Sequence, residues 1–211
     1  MPTILIATDE AGYGPKLGPL VITATVWEIP GQCTDEVTLN EFFAPLRTPY
    51  EGPDGPVVVD DSKAVFKPSQ GLSALHTAVS AAIRWSGKRT ENLIDWISVI
   101  AAKDVESILQ TPWFEDLGSE RFLGGDETDA LVDQWSQSGL RLLNVSSRII
   151  SARQFNSRCA DGFNKADLLS ESTIGLVRSV VDSVGSESQQ VIVFCDRHGG
   201  RRYYGLSLIH I

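Results

Sequence analysis

Hydrophobic and polar positions alternate along this chain in blocks that read as strands and helices in turn. Ile4-Leu5-Ile6-Ala7-Thr8 is an apolar run short enough for one buried strand, and it delivers two adjacent carboxylates, Asp9 and Glu10, to its C-terminal end. Gly12, Gly14, Pro15, Gly18 and Pro19 stop it, and the β-branched run Leu20-Val21-Ile22-Thr23-Ala24-Thr25-Val26-Trp27 predicts a second strand, hence a hairpin. Residues 28–56 mix Gly, Pro and acidic residues around Phe42 and Phe43 and read as a connection with one short helical turn. Val57-Val58-Val59 predicts a short strand running into the loop Asp60-Asp61-Ser62-Lys63. A helix is expected to start at Pro68 and Ser69, with Leu72, Leu75, Val79 and Ile83 as its apolar stripe.

Further on, two helically periodic segments, Leu93 to Leu109 and Asp126 to Trp135, flank a glycine-acidic joint. The stretch from Leu140 to Ile150 returns to strand chemistry. A long helix follows, carrying Leu168, Leu169, Leu176, Val177, Val180 and Val181 at helical spacing. Val191-Ile192-Val193-Phe194-Cys195 is nearly continuous in apolar residues, as expected of a strand buried on both faces, and it ends in Asp196. Strands and helices mixed in this order predict an α/β domain with a mixed central sheet and flanking helices.

Composition narrows the picture without changing it. With 211 residues, 42% hydrophobic and 21% charged, the chain suits one globular domain with a core of its own. A net charge of −9 argues against indiscriminate nucleic-acid binding, which is driven by neutralising phosphates, but it leaves room for a local basic groove beside an acidic site. The cysteines, Cys33, Cys159 and Cys195, have no ligand spacing and read as small buried hydrophobes of a cytoplasmic protein. No window approaches the roughly 18 to 20 apolar residues of a membrane span, so no membrane partner is expected.

The chemistry concentrates at the strand ends. Adjacent carboxylates repel and desolvate each other, and a divalent cation keeps both ionised; oxygen ligands of this kind select Mg2+ or Mn2+ over zinc. Neighbouring side chains on a regular strand point to opposite faces, so for both to serve one metal Glu10 must leave the strand or use its backbone carbonyl. Gly12, Gly14 and Gly18 leave the main chain bare for a sugar-phosphate to approach. Their spacing imitates a dinucleotide-binding fingerprint, but that motif needs a helix where this chain has prolines and a β-branched run. Lys63 with Lys67, and Arg197 with Arg201 and Arg202 beyond Asp196, offer cations for phosphates. Trp96, Trp113 and Trp135 could stack on bases, although core or interface packing is the commoner use of tryptophan. His76 and His198, isolated histidines, carry no role in this reading.

Asp9-Glu10-Ala11-Gly12-x-Gly14-Pro15-x-x-Gly18-Pro19 resembles the opening signature of ribonuclease HII, with eight matches over eleven positions, and Asp61-Ser62-Lys63 is similar to a second motif of that family. The resemblance implies a ribonuclease H-like architecture over residues 1–205, with a helical insertion at about 86–140. It implies an endonuclease that hydrolyses the RNA strand, or an embedded ribonucleotide, of an RNA–DNA hybrid. Asp9, Glu10 and Asp196 would then be catalytic and hold Mg2+ or Mn2+, while Gly12, Tyr13, Gly14, Lys63 and Arg197 contact substrate. The family has arginine where this chain has Tyr13, which predicts weaker discrimination for a single ribonucleotide, because one phenol cannot reproduce a guanidinium fork.

The alternative is a non-catalytic nucleic-acid-binding relative that lacks the family's fourth acidic residue. Residues 206–211 coincide with a translated sequencing-library adapter and are read as a non-native tail, which leaves that fourth ligand and the native C-terminus undefined.

Overall fold

The computed structural model describes residues 2–12, 18–32, 35–52, 55–61, 65–66, 68, 71–119, 126–184 and 190–195, with residues 126 and 127 as backbone only. Four long strands form its sheet: β1 (Thr3–Ala11), β2 (Leu20–Ile29), β5 (Arg141–Ile150) and β6 (Gln190–Cys195). Their order is β5-β2-β1-β6. β1 runs antiparallel to β2, β2 antiparallel to β5, and β6 parallel to β1. The expected hairpin is therefore present, with Thr3 opposite Ile29 and Ala11 opposite Val21.

Period-two alternation gives this sheet two apolar faces, and each is covered. Ile4, Ile6, Ile22, Ala24 and Val26 pack on one face against Leu168, Leu169, Leu176 and Val180 of a 20-residue helix, α7 (Lys165–Val184). Leu5, Trp27, Ile29, Val145 and Ile149 face the other way, into a core that includes Ala81, Ile97, Ile100, Leu131 and Trp135. Those residues come from α2 (Ser73–Trp85), α3 (Leu93–Ile100) and α5 (Asp126–Trp135). α1 (Glu36–Arg47) and α4 (Val105–Leu109) add Leu46 and Ile108 to the same core. Edge-to-face packing of Trp27 on Phe43 and on Trp85 fixes the centre of this layer.

Several expectations need correction. Residues 28–56 hold a full 12-residue helix, α1, whose first turn is capped by Asp35 through a bond from the Thr38 amide, and a small hairpin of β3 (Tyr50–Gly52) and β4 (Gly55–Val57). Pro45 inside α1 obscures that helix in the sequence. α2 starts at Ser73, later than expected, and Leu72 is exposed. Of the expected stripe Ile83 is buried and Leu75 and Val79 are half-buried, while Thr77, Ser80 and Ala81 are buried as well and Trp85 packs beside them, because small side chains let the helix sit close while the indole fills the remaining space.

The periodic segment from Leu93 breaks into α3 and α4 at Ala101, where φ is −140°. The break lets the Asp104 side chain turn toward β5. Ahead of α7, Ser151 and Gln154 form a reciprocal capping box that starts a separate helix, α6 (Ala152–Ala160). Trp135 is core and Trp96 packs against it, but Trp113 is 60% exposed. Cys159 and Cys195 are exposed free thiols and not buried hydrophobes; Cys33 lies outside the described residues.

β6 also departs from expectation. It pairs with β1 at the margin of the described sheet, and only Ile192 of its apolar run packs against a core. Val193 and Phe194 are 42% and 52% exposed, since no described element covers them. Among the described residues no helix is long and apolar enough to cross a membrane.

Candidate metal centre

The hairpin carries Asp9 and Glu10 at its closed end without letting go of either. Both remain in β1, paired with Thr23 and Ile22 respectively. Glu10 has therefore not left the strand, which removes one of the two ways in which both carboxylates could reach a single cation. Strand alternation sends Asp9 to the face of Leu5 and Trp27, and Glu10 to the face of Ile4 and Ile6. Asp9 is exposed, and its Oδ1 accepts the Glu10 amide at 2.8 Å.

Each carboxylate heads a row that crosses the sheet. Asp9 lies opposite Thr23, and Thr23 opposite Ser147, whose hydroxyls share a hydrogen bond of 2.9 Å. On the other face Glu10 lies opposite Ile22, and Ile22 opposite Arg148. Arg148 is held by Asp104, buried at 2% exposure, whose Oδ2 accepts from Arg148 Nε at 3.0 Å and from the Ile149 amide at 2.8 Å. Sequence reasoning missed Thr23, Ser147, Arg148 and Asp104. The register was the missing information for the first three, while Asp104 is placed by the break between α3 and α4.

Gly12 has a conformational reason to be glycine. Its φ is +82°, and a Cβ there would stand 2.3 Å from the Pro19 carbonyl oxygen, so the hairpin closes only over a bare backbone. The chain's own Pro19 carbonyl takes up the space that the missing side chain leaves. Tyr13, Gly14, Lys63, Asp196 and Arg197 lie outside the described residues. The last described residue of β6, Cys195, pairs in parallel with Thr8, the residue before Asp9.

The donor set at this end consists of carboxylate and hydroxyl oxygens, which suits a hard divalent cation. Among the described residues there is no group of three or more His, Cys, Asp or Glu able to hold a metal ion. No family model, curated protein or solved structure matches the chain.

Proposed function

We propose that the chain is a metal-dependent endonuclease of ribonuclease H-like architecture that hydrolyses the RNA strand, or an embedded ribonucleotide, of an RNA–DNA hybrid. The observation that carries this reading is the parallel pairing of β6 with β1 up to Thr8 and Cys195. Asp196 is the next residue in the sequence after Cys195, as Asp9 is after Thr8. The resemblance to ribonuclease HII calls for carboxylates from two strands distant in sequence, and Asp9 and Asp196 are the residues of this sequence that match it.

In this reading Asp9, Glu10 and Asp196 hold Mg2+ or Mn2+, with Glu10 contributing through its backbone carbonyl. The metal, when bound, activates water and stabilises the leaving 3′-oxygen. Asp9 has one carboxylate oxygen committed to the Glu10 amide, which orients the other. Gly12, Tyr13 and Gly14 lie along the sugar, where the 2′-hydroxyl separates RNA from DNA, and Lys63 and Arg197 position phosphates.

The test is cleavage of a continuous RNA–DNA hybrid and of a duplex with one embedded ribonucleotide, in Mg2+ and in Mn2+, with Asp9→Asn as control. Metal-dependent cutting that is lost in Asp9→Asn is expected, with the continuous hybrid preferred because Tyr13 stands where the family has arginine. Cutting that survives Asp9→Asn overturns the assignment. A second reading, a non-catalytic nucleic-acid-binding relative, is favoured by the opposite facing of Asp9 and Glu10. It predicts hybrid binding without cleavage in either metal.

A further inference from the structure

The charge of the chain is unevenly distributed. Residues 90–140 hold eleven of its 27 acidic residues and two of its 18 basic ones, so this stretch carries the whole net charge of −9 and the remainder is neutral. Self-repulsion of that kind costs stability, and an oppositely charged partner relieves it.

The same stretch exposes apolar surface. α4 runs into a 3-10 turn, Pro112–Phe114, and within five residues Leu109, Pro112 and Trp113 are all exposed, Leu109 by 43% and Trp113 by 60%. No other tryptophan or phenylalanine among the described residues is as open. The turn is nevertheless held. Phe114 and Leu117 pack against the core, the Phe114 amide donates to Thr111 O at 2.9 Å, and Gly118 lies against α3, where a Cβ would stand 3.8 Å from Ile94 Cγ2. Trp113 meets the Phe114 ring edge-on at a centroid distance of 6.2 Å, a contact that orients the indole without covering it. An oriented, solvent-facing tryptophan is the kind of side chain that dominates protein interfaces.

The charges around it select the occupant. Glu106, Glu115 and Asp116 are exposed beside the turn, and none of them forms an ion pair with a described residue. Lys103 is the one cation in residues 90–119. An indole flanked by carboxylates attracts a guanidinium or ammonium group, which the ring quadrupole and the carboxylates hold together. The same charges repel a nucleic acid, and a symmetric dimer through this surface would set like charge against like.

We propose that residues 106–116 form a docking surface for a lysine- and arginine-rich segment of a partner protein, one of whose cations stacks on Trp113 while its neighbours meet Glu106, Glu115 and Asp116. The surface stands apart from the nuclease reading, because none of these residues belongs to the hairpin end of the sheet. The experiment is fluorescence anisotropy of a fluorescein-labelled nonaarginine peptide titrated with the full chain, at about 50 and about 200 mM salt. The variants are Trp113→Ala, Glu115→Gln with Asp116→Asn, and, as a control of equal charge, Glu41→Gln with Glu51→Gln, two exposed carboxylates outside the stretch. All these side chains are exposed, so urea midpoints should stay in place.

Trp113→Ala should weaken binding about threefold at both salt concentrations, the size of an exposed cation–π contact. The Glu115 and Asp116 pair should weaken it about fivefold at the lower salt and less at the higher, since exposed ion pairs are screened. The control pair should cost less than about twofold. No binding by the unsubstituted chain, binding unaffected by Trp113→Ala, or an equal loss in the Glu41 and Glu51 control overturns the docking surface, the last because binding then follows net charge alone. Sedimentation velocity tests the other occupant: a dimer that Trp113→Ala dissolves identifies a second copy of the chain and overturns the basic partner.

Discussion

Replacing Asp104 should unfasten the helical segment from the sheet edge. Among the described residues β5 is bonded to β2 along one side only, and an open strand edge is a template for unwanted pairing. Two side chains occupy the other side. Lys88 Nζ donates to Val145 O at 3.2 Å and to Asn144 Oδ1 at 2.7 Å, and Asp104 accepts the Ile149 amide. In Asp104→Ala the buried Ile149 N–H loses its acceptor, which costs about 1 to 3 kcal/mol. Arg148 is 40% exposed and recovers water, so the lost ion pair adds only about 0.5 to 1 kcal/mol.

The sum is about 3 kcal/mol. Asp104→Asn keeps an oxygen for Ile149 and should cost about half as much. At a urea m-value of about 3 kcal/mol/M, the Asp104→Ala midpoint falls by about 1 M. Amide hydrogen exchange supplies the local reading, since Ile149 should lose protection beyond the global change. A cost below about 0.5 kcal/mol, the level of an ordinary surface substitution, would refute the account of the edge.

Two further outcomes follow from single residues. Gly12→Ala should destabilise the chain by at least about 2 kcal/mol in urea, because a left-handed φ and a 2.3 Å approach to Pro19 O act together; a neutral result means that the hairpin closes differently. Burial lowers the pKa of Lys88 below its ordinary 10.5. The unfolded chain then holds the proton at pH values where the folded chain has released it, so stability should rise with pH between the folded pKa and 10.5. Lys88→Met should flatten that rise in urea midpoints measured across the alkaline range, and an identical pH profile would remove burial as the cause.

How much of this was legible in the sequence depended on whether a signal was local. The hairpin, β5, the α5 boundaries from Asp126 to Trp135 and the face of α7 were readable because each rests on one period or one turn. α1 is hidden by Pro45 and by flanking Gly and Pro, and its start signal, Asp35 before Thr38, is a single capping residue among several turn formers. β6 looked doubly buried because a continuous apolar run says nothing about position in a sheet. The candidate site was legible as residue types at strand ends. What could not be read was register, which decides that Asp9 shares its row with Thr23 and Ser147 and Glu10 shares its row with Arg148.

Those rows bear on how a chain of net charge −9 could hold a polyanion. Its overall field opposes approach, so long-range steering cannot supply the affinity. The cations described near the carboxylates are paired, Arg148 with Asp104 and Arg158 with Glu171, and exert little field beyond a Debye length of about 8 to 10 Å. Under the proposed function, binding would then have to come from short-range donors set by the sheet and from a cation held by the carboxylates. The buried Asp104 balances the charge of Arg148, the arginine of the Glu10 row, through its Nε. Under the proposed function, a nucleic-acid contact of this acidic chain would therefore be local rather than indiscriminate.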